Sequence, residues 1–208
     1  MMTGRAARHG IGPGLIAATL SVVTLAAAPA AAADKQIRAL IGSTFGGSTT
    51  FPDFDHVAGK SNVVLGVSMV TLGEVFGVDI DLADAPGYFE GGQHLVLSSR
   101  VTTLTGNIVV AAPRRLTEYV MRPYIVGGGG LLRVHEEDYF GAFLVNRVLP
   151  AFDAGAGVLA FLNKTVGVTL EVRRFQSFSQ PSNDPGLTLS GSERLSFWRA
   201  GLAVSIRY

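Results

Sequence analysis

The chain has 208 residues, with 17 Lys and Arg against 16 Asp and Glu, four His, 26 Gly and no Cys. That length suits one sizeable domain, and the missing Cys excludes a disulfide framework, thiolate chemistry and Cys metal sites. The near-neutral charge offers nucleic acid no electrostatic footing.

Residues 1–33 read as a secretory signal peptide. Arg5 and Arg8 supply a basic start, Gly14 to Ala28 an apolar run, and an Ala cluster before Asp34 a plausible cleavage point. The run is shorter than the ~20 residues of a spanning helix. Without this segment the balance is 15 basic to 16 acidic residues. The rest, 34–208, contains no stretch able to cross a membrane as a helix, yet it is apolar and Gly-rich. An exported chain of that kind suits a β-barrel in lipid better than a soluble enzyme.

Eight segments alternate with period 2, the signature of half-buried strands. They cover about 36–46, 61–70, 74–83, 99–111, 120–134, 150–161, 166–176 and 196–208. The connections alternate in length. Long ones fall around 47–60, 84–98, 135–149 and 177–195, and short ones at 71–73, 112–118 and 162–165. In an up-and-down meander every second connection lies at the same end, so one end gathers all the long loops, as in outer-membrane barrels. The expected fold is all-β, an eight-stranded antiparallel up-and-down transmembrane barrel.

The faces set its polarity. Phe76, Val78, Ile80 and Leu82 oppose Gly77, Asp79 and Asp81. Val166, Val168, Leu170 and Val172 oppose Gly167, Thr169, Glu171 and Arg173, while Leu104, Ile108 and Val110 oppose Thr103, Thr105 and Asn107. Phe152, Ala154, Ala156, Val158 and Ala160 oppose Asp153, Gly155 and Gly157. The polar face is too small-sided and too poor in charge to act as a solubilising coat. As the lining of a narrow lumen it leaves room for ion pairs, and turning those charges into lipid would cost ~2–4 kcal/mol per basic residue near the midplane. The apolar face is therefore expected to meet lipid. Inside, Asp79, Asp81, Asp153 and Glu171 are expected to pair with Arg38, Arg173 and Arg199, with Asn107 in the same polar network.

The last segment, "FWRAGLAVSIRY", ends on Tyr208. A bare strand edge invites aggregation, so this strand is expected to close the barrel against the first. Trp198 and Tyr208 would then sit at opposite interfaces, in an aromatic girdle with Tyr124.

By these features the sequence resembles the small eight-stranded outer-membrane barrels, the OmpA/OmpX-like family. The resemblance covers about 36–208 and is carried by "RPYIVGGGGLLR", "GVDIDLADAPGYF", "VTTLTGNIVVAAP", "FDAGAGVLAFL" and the aromatic C-terminus. It implies short turns in the periplasm, long loops outside the cell, and a terminal strand at Tyr208 read by the barrel-assembly machinery. It also implies outer-membrane lipid as surroundings and an extracellular ligand or host surface as partner. Unlike in the full-length OmpA type, a peptidoglycan-binding domain is not expected after the barrel.

Other motifs read as structure. Gly127 to Gly130 lack the Lys-Ser/Thr and helix start of a phosphate-binding loop. Asp79, Asp81 and Asp84 lack the Gly and distal Glu of a calcium loop, and Asp84 faces away from the other two. His56, His94 and His135 are expected in three different long loops with no nucleophile beside them. "NKT" at Asn163 to Thr165 reads as a tight turn, and Tyr88, Phe89, Tyr139 and Phe140 as girdle aromatics. No cofactor, metal or catalytic residue is expected. The expected role is structural or surface interaction through four external loops; a narrow pore, a lipid-modifying enzyme and a soluble lipocalin-like binder are the alternatives.

Overall fold

The computed structural model describes residues 33–49, 61–88, 96–113, 116–117, 121–138, 144–178, 180–181 and 192–208. Residues 1–32 of the expected signal peptide lie outside these, as do His56, Phe89, His94, Tyr139 and Phe140. Ten strands run in chain order: β1 (Asp34–Thr49), β2 (Asn62–Leu72), β3 (Phe76–Pro86), β4 (Val96–Ala111), β5 (Met121–Asp138), β6 (Leu144–Phe161), β7 (Val166–Ser177), β8 (Gln180–Pro181), β9 (Ser192–Glu193) and β10 (Leu195–Arg207). Each strand from β1 to β6 pairs antiparallel with the one that follows it, β7 pairs with β10, and β10 returns to β1 to close an eight-stranded barrel. The closing seam runs from Gln36↔Arg207 to Phe45↔Trp198, with a bulge before Ser48↔Ser196. It uses the terminal alternation to leave no free edge. The short strands β8 and β9 form a separate two-stranded ribbon.

The short connections are built by backbone capping. Gly73 N donates to the Phe76 carbonyl at 2.8 Å. Arg122 holds that turn from β5: its Nη2 donates to the Gly73 and Glu74 carbonyls at 2.8 and 2.6 Å, and its Nε to the Ala112 carbonyl at 2.9 Å. Asn163 Oδ1 accepts from the Thr165 and Val166 amides at 2.8 and 2.7 Å. That is the Asx-type turn in which an Asn side chain substitutes for backbone.

The strands run farther towards the long-loop end than the alternation indicated. β5 and β6 are each 18 residues long, against 11 for β2 and β3. About ten residues of tilted strand cross the apolar band, so the β5–β6 ribbon stands beyond it. His135, expected in a loop, lies within β5 opposite Asn146. The added residues, His135 to Asp138 and Leu144 to Leu149, mix charged and apolar side chains without period-2 alternation, so the sequence carries no strand signal there.

The barrel is apolar outside and charged inside. Ile80, Ile108, Ile125 and Leu170 point outward and are 58–62% exposed, while Arg173 and Arg199 are 1% and 2% exposed. Among the described residues no helix is long and apolar enough to cross a membrane; strands do the crossing. An apolar belt of this kind around the whole wall is stable only in lipid.

Close strand approach fixes several interior glycines. A Cβ on Gly130 would run into the Leu104 carbonyl of the neighbouring strand, whereas outward-facing Gly106 has nothing within 4 Å. Gly130→Val is therefore expected to abolish the folded band on unboiled gels, and Gly106→Ala to leave it intact. The heat-dependent mobility shift in detergent reads both variants.

Candidate functional site

The lumen is layered along the barrel axis. At the long-loop end an apolar cluster fills the bore, including Val64, Ala85, Leu132, Leu149, Phe175 and Phe197. At the short-turn end a second cluster does the same with Val70, Leu72, Val109, Val126 and Leu159. Between them lies the charged layer, on the strand positions that separate the two clusters: Asp79 and Asp81 of β3, Asn107 of β4, Asp153 of β6, Glu171 and Arg173 of β7, and Arg199 of β10.

Arg173 is the hub. Its Nη2 lies 2.5 Å from Asp79 Oδ2 on the far wall, its Nε 2.5 Å from Glu171 Oε1, and its Nη1 3.3 Å from Asp153 Oδ2. Arg199 grips Asp81 with two parallel bonds of 2.8 and 3.0 Å and reaches Glu171 Oε1 at 3.6 Å. Its guanidinium also lies 4.9 Å from the Phe175 ring centroid. With the Asn107 amide oriented to satisfy its neighbours, its nitrogen donates to Asp153 Oδ1 at 2.7 Å and its oxygen accepts from Arg173 Nη1 at 2.8 Å. Bidentate, charge-assisted contacts of this kind are the strong members of the hydrogen-bond class. They are also what buried ions require, since an unpaired charge in this medium would be prohibitive.

Register explains why these side chains meet. Tyr124, Gly157 and Glu171 are partners in one row across β5, β6 and β7. Gly157 leaves the space through which Tyr124 Oη donates to Glu171 Oε2 at 2.7 Å; a Cβ there would lie 2.6 Å from the Tyr124 ring. Gly128 stands in the same relation between Asn107 and Asp153, and Gly155 flanks Arg173. Tyr124, Asn107 and Arg173 thus each have an inward glycine beside them.

Two expectations need correction. Tyr124 is not a girdle residue: it is 4% exposed and inward, because it shares the parity of Arg122 and Val126 on β5. Arg38 is buried but has no carboxylate within ion-pair distance among the described residues. Its Nη2 donates to Gln36 Oε1 at 3.4 Å and its guanidinium lies 5.5 Å from the Tyr124 ring centroid. The acids are already occupied by Arg173 and Arg199.

Trp198 faces outward near the long-loop end, and Tyr208 lies at the opposite end of the seam, its amide donating to the Lys35 carbonyl at 3.1 Å. Asp84 also faces outward, accepting from Thr102 Oγ1 at 2.8 Å and pairing with Arg100 at 3.4 Å. Tyr88, expected at the interface, is instead buried over the bore. Gly87, at φ 71°, turns the chain inward, and Tyr88 meets Phe197 edge-on at 5.5 Å. Burial pushes its phenol well above the ordinary range, so it stays neutral. Among the described residues no cluster could hold a metal ion.

Removing the hub should destabilise the barrel by about 3–5 kcal/mol, the usual effect of stranding buried partners. Arg173→Met is expected to lower the urea midpoint of unfolding in lipid vesicles accordingly. Arg38→Met, which strands no carboxylate, should lose ~1 kcal/mol or less. Equal losses would contradict the hub.

No protein-family model and no curated protein matches the chain. Solved structures do. The Neisserial surface protein A aligns at TM-score 0.59 with 10% identity, covering 84% of this chain and 97% of that one. The N-terminal β-barrel domain of Pseudomonas aeruginosa OprF aligns at 0.51 with 13% identity, over 84% and 97%. Ail of Yersinia pestis, in complex with the heparin analogue sucrose octasulfate, aligns at 0.50 with 13% identity, over 84% and 99%. The closed meander, the inverted polarity and these matches together give the chain the fold of the eight-stranded outer-membrane β-barrels.

Proposed function

We propose that this protein is a non-conducting outer-membrane barrel, exported through residues 1–33, that acts structurally and through surface contacts made by its external loops. The observation that carries this reading is the pair of apolar layers closing the lumen on both sides of the charged layer. A bore filled in this way passes no solute stream, so function falls to the loop end. There the β5–β6 ribbon stands beyond the belt. The Ail complex with a heparin analogue supports an extracellular polyanion as the kind of ligand such loops meet.

The charged layer then serves as the rigid core that positions the ribbon, without catalysis. Trp198 and Tyr208 serve as the interface girdle, and Tyr208 with the terminal strand as the element the barrel-assembly machinery reads. Tyr208→Ala should accordingly slow appearance of the heat-modifiable form in cells while leaving refolding of purified protein in detergent unchanged.

Two measurements test the function itself. In planar bilayers the folded protein is expected to give no discrete conductance steps, and steps would favour a pore. Cells displaying the protein should bind immobilised heparin, and lose that binding when Arg133 and Arg147 of the ribbon are both replaced by Gln. Binding unaffected by the exchange would remove the ribbon from the proposal.

A further inference from the structure

The outward face of β7 carries Val166, Val168, Leu170 and Val172, and then Arg174. Arg174 lies eight residues along the strand from Val166. At ~3.3 Å per residue and the usual tilt this places it about 20 Å up the wall, near the top of an apolar band roughly 25 Å tall. The side chain is exposed and outward, and it pairs across the wall with Trp198, which pairs in turn with Phe45. The Arg174 guanidinium lies 5.4 Å from the Trp198 ring centroid, and Trp198 stacks on Phe45 at 6.5 Å with 13° between planes. Among the described residues no carboxylate lies within ion-pair distance of Arg174, whereas Arg100 on the opposite wall has Asp84 at 3.4 Å.

Below Arg174 the wall is grooved. Ala156 and Val158 of β6 and Leu170 and Val172 of β7 form the upper part of an open apolar groove of about 730 Å³, which continues past Ile125 and Pro123 to Val110 and Pro113 at the short-turn end. Val172 pairs with Ala156 and Arg174 with Ala154, so the head of the groove lies one outward residue beneath the guanidinium.

We propose that this face is a lipid-binding site: Arg174 takes the phosphate of a lipid in the leaflet at the long-loop end, and the groove takes one of its acyl chains. A guanidinium resting near an indole, with no carboxylate beside it among the described residues, has N–H groups left for phosphate oxygens, which its planar fork matches. The position at the top of the belt matches headgroup depth, where Trp is at home. A second copy of the chain is the poorer occupant, because a two-fold contact through this patch would bring Arg174 near its own symmetry mate. A free phosphate would leave the groove unused. The site belongs to the barrel wall and is independent of what the loops bind.

The test is lipid retention by native mass spectrometry of the folded barrel in detergent, with bisphosphorylated lipid A as probe and its dephosphorylated form as control. The wild-type protein should retain the phosphorylated lipid, and Arg174→Gln should weaken that retention about tenfold, or ~1.4 kcal/mol. Arg174→Lys, which keeps the charge without the planar fork, should fall between. Heat-modifiability confirms that each variant is folded. Equal retention of the two lipids, an unchanged Arg174→Gln, or full displacement by inorganic phosphate would each overturn the proposal.

Discussion

A guanidinium sealed in the middle of a protein holds the design together. Arg173 faces three carboxylates from β3, β6 and β7, and Arg199 joins β10 to β3 across the bore. These contacts connect strands far apart in sequence and on opposite walls. Ladder hydrogen bonds join each strand to its neighbours and say little about the cross-section. The charged layer adds diameters to that circumference. In a low-dielectric interior such contacts tolerate little misplacement, because a stranded ion there is far more costly than one in water.

The layering follows from the same constraint. Ions in the bore are strongest when water is kept away, and the two apolar clusters do that at either end. Tyr88 completes the upper closure from a turn beyond β3, and Arg122 secures the lower turns by capping three backbone carbonyls. The proposed role uses this plugged cylinder as a rigid support for the loop end. The long strands of β5 and β6 extend that rigidity past the membrane surface.

Much of this was legible in the sequence, for a definite reason. Strand alternation states which face a side chain takes, so the inward parity of Asp79, Glu171 and Arg173 and the outward parity of Ile80 and Leu170 followed from local pattern. Loop lengths ordered the strands into a meander. Register is different: alternation does not say which residue stands opposite which. The row Tyr124–Gly157–Glu171 therefore could not be read, and Tyr124 looked like one more interfacial ring on a strand apolar on both faces. Arg38 shares the inward parity of the acids, and parity alone does not say which side chains meet. Tyr88 was misplaced because its position depends on a single positive φ at Gly87. The ends of β5 and β6 carry no period-2 alternation and so do not read as strand.

The inward glycines have a consequence for how such a barrel changes over generations. Gly157 and Gly155 exist to admit Tyr124 and Arg173, and Gly128 to let Asn107 reach Asp153. A large side chain and its empty neighbour are thus one unit of inheritance, split between two strands. Moving a charge two positions along its strand leaves a hole at the old row and a collision at the new one unless a glycine moves on the adjacent strand as well. Single substitutions in this layer should be rare among descendants, and paired ones, with gain and loss of bulk on adjoining strands, should be the way the interior drifts.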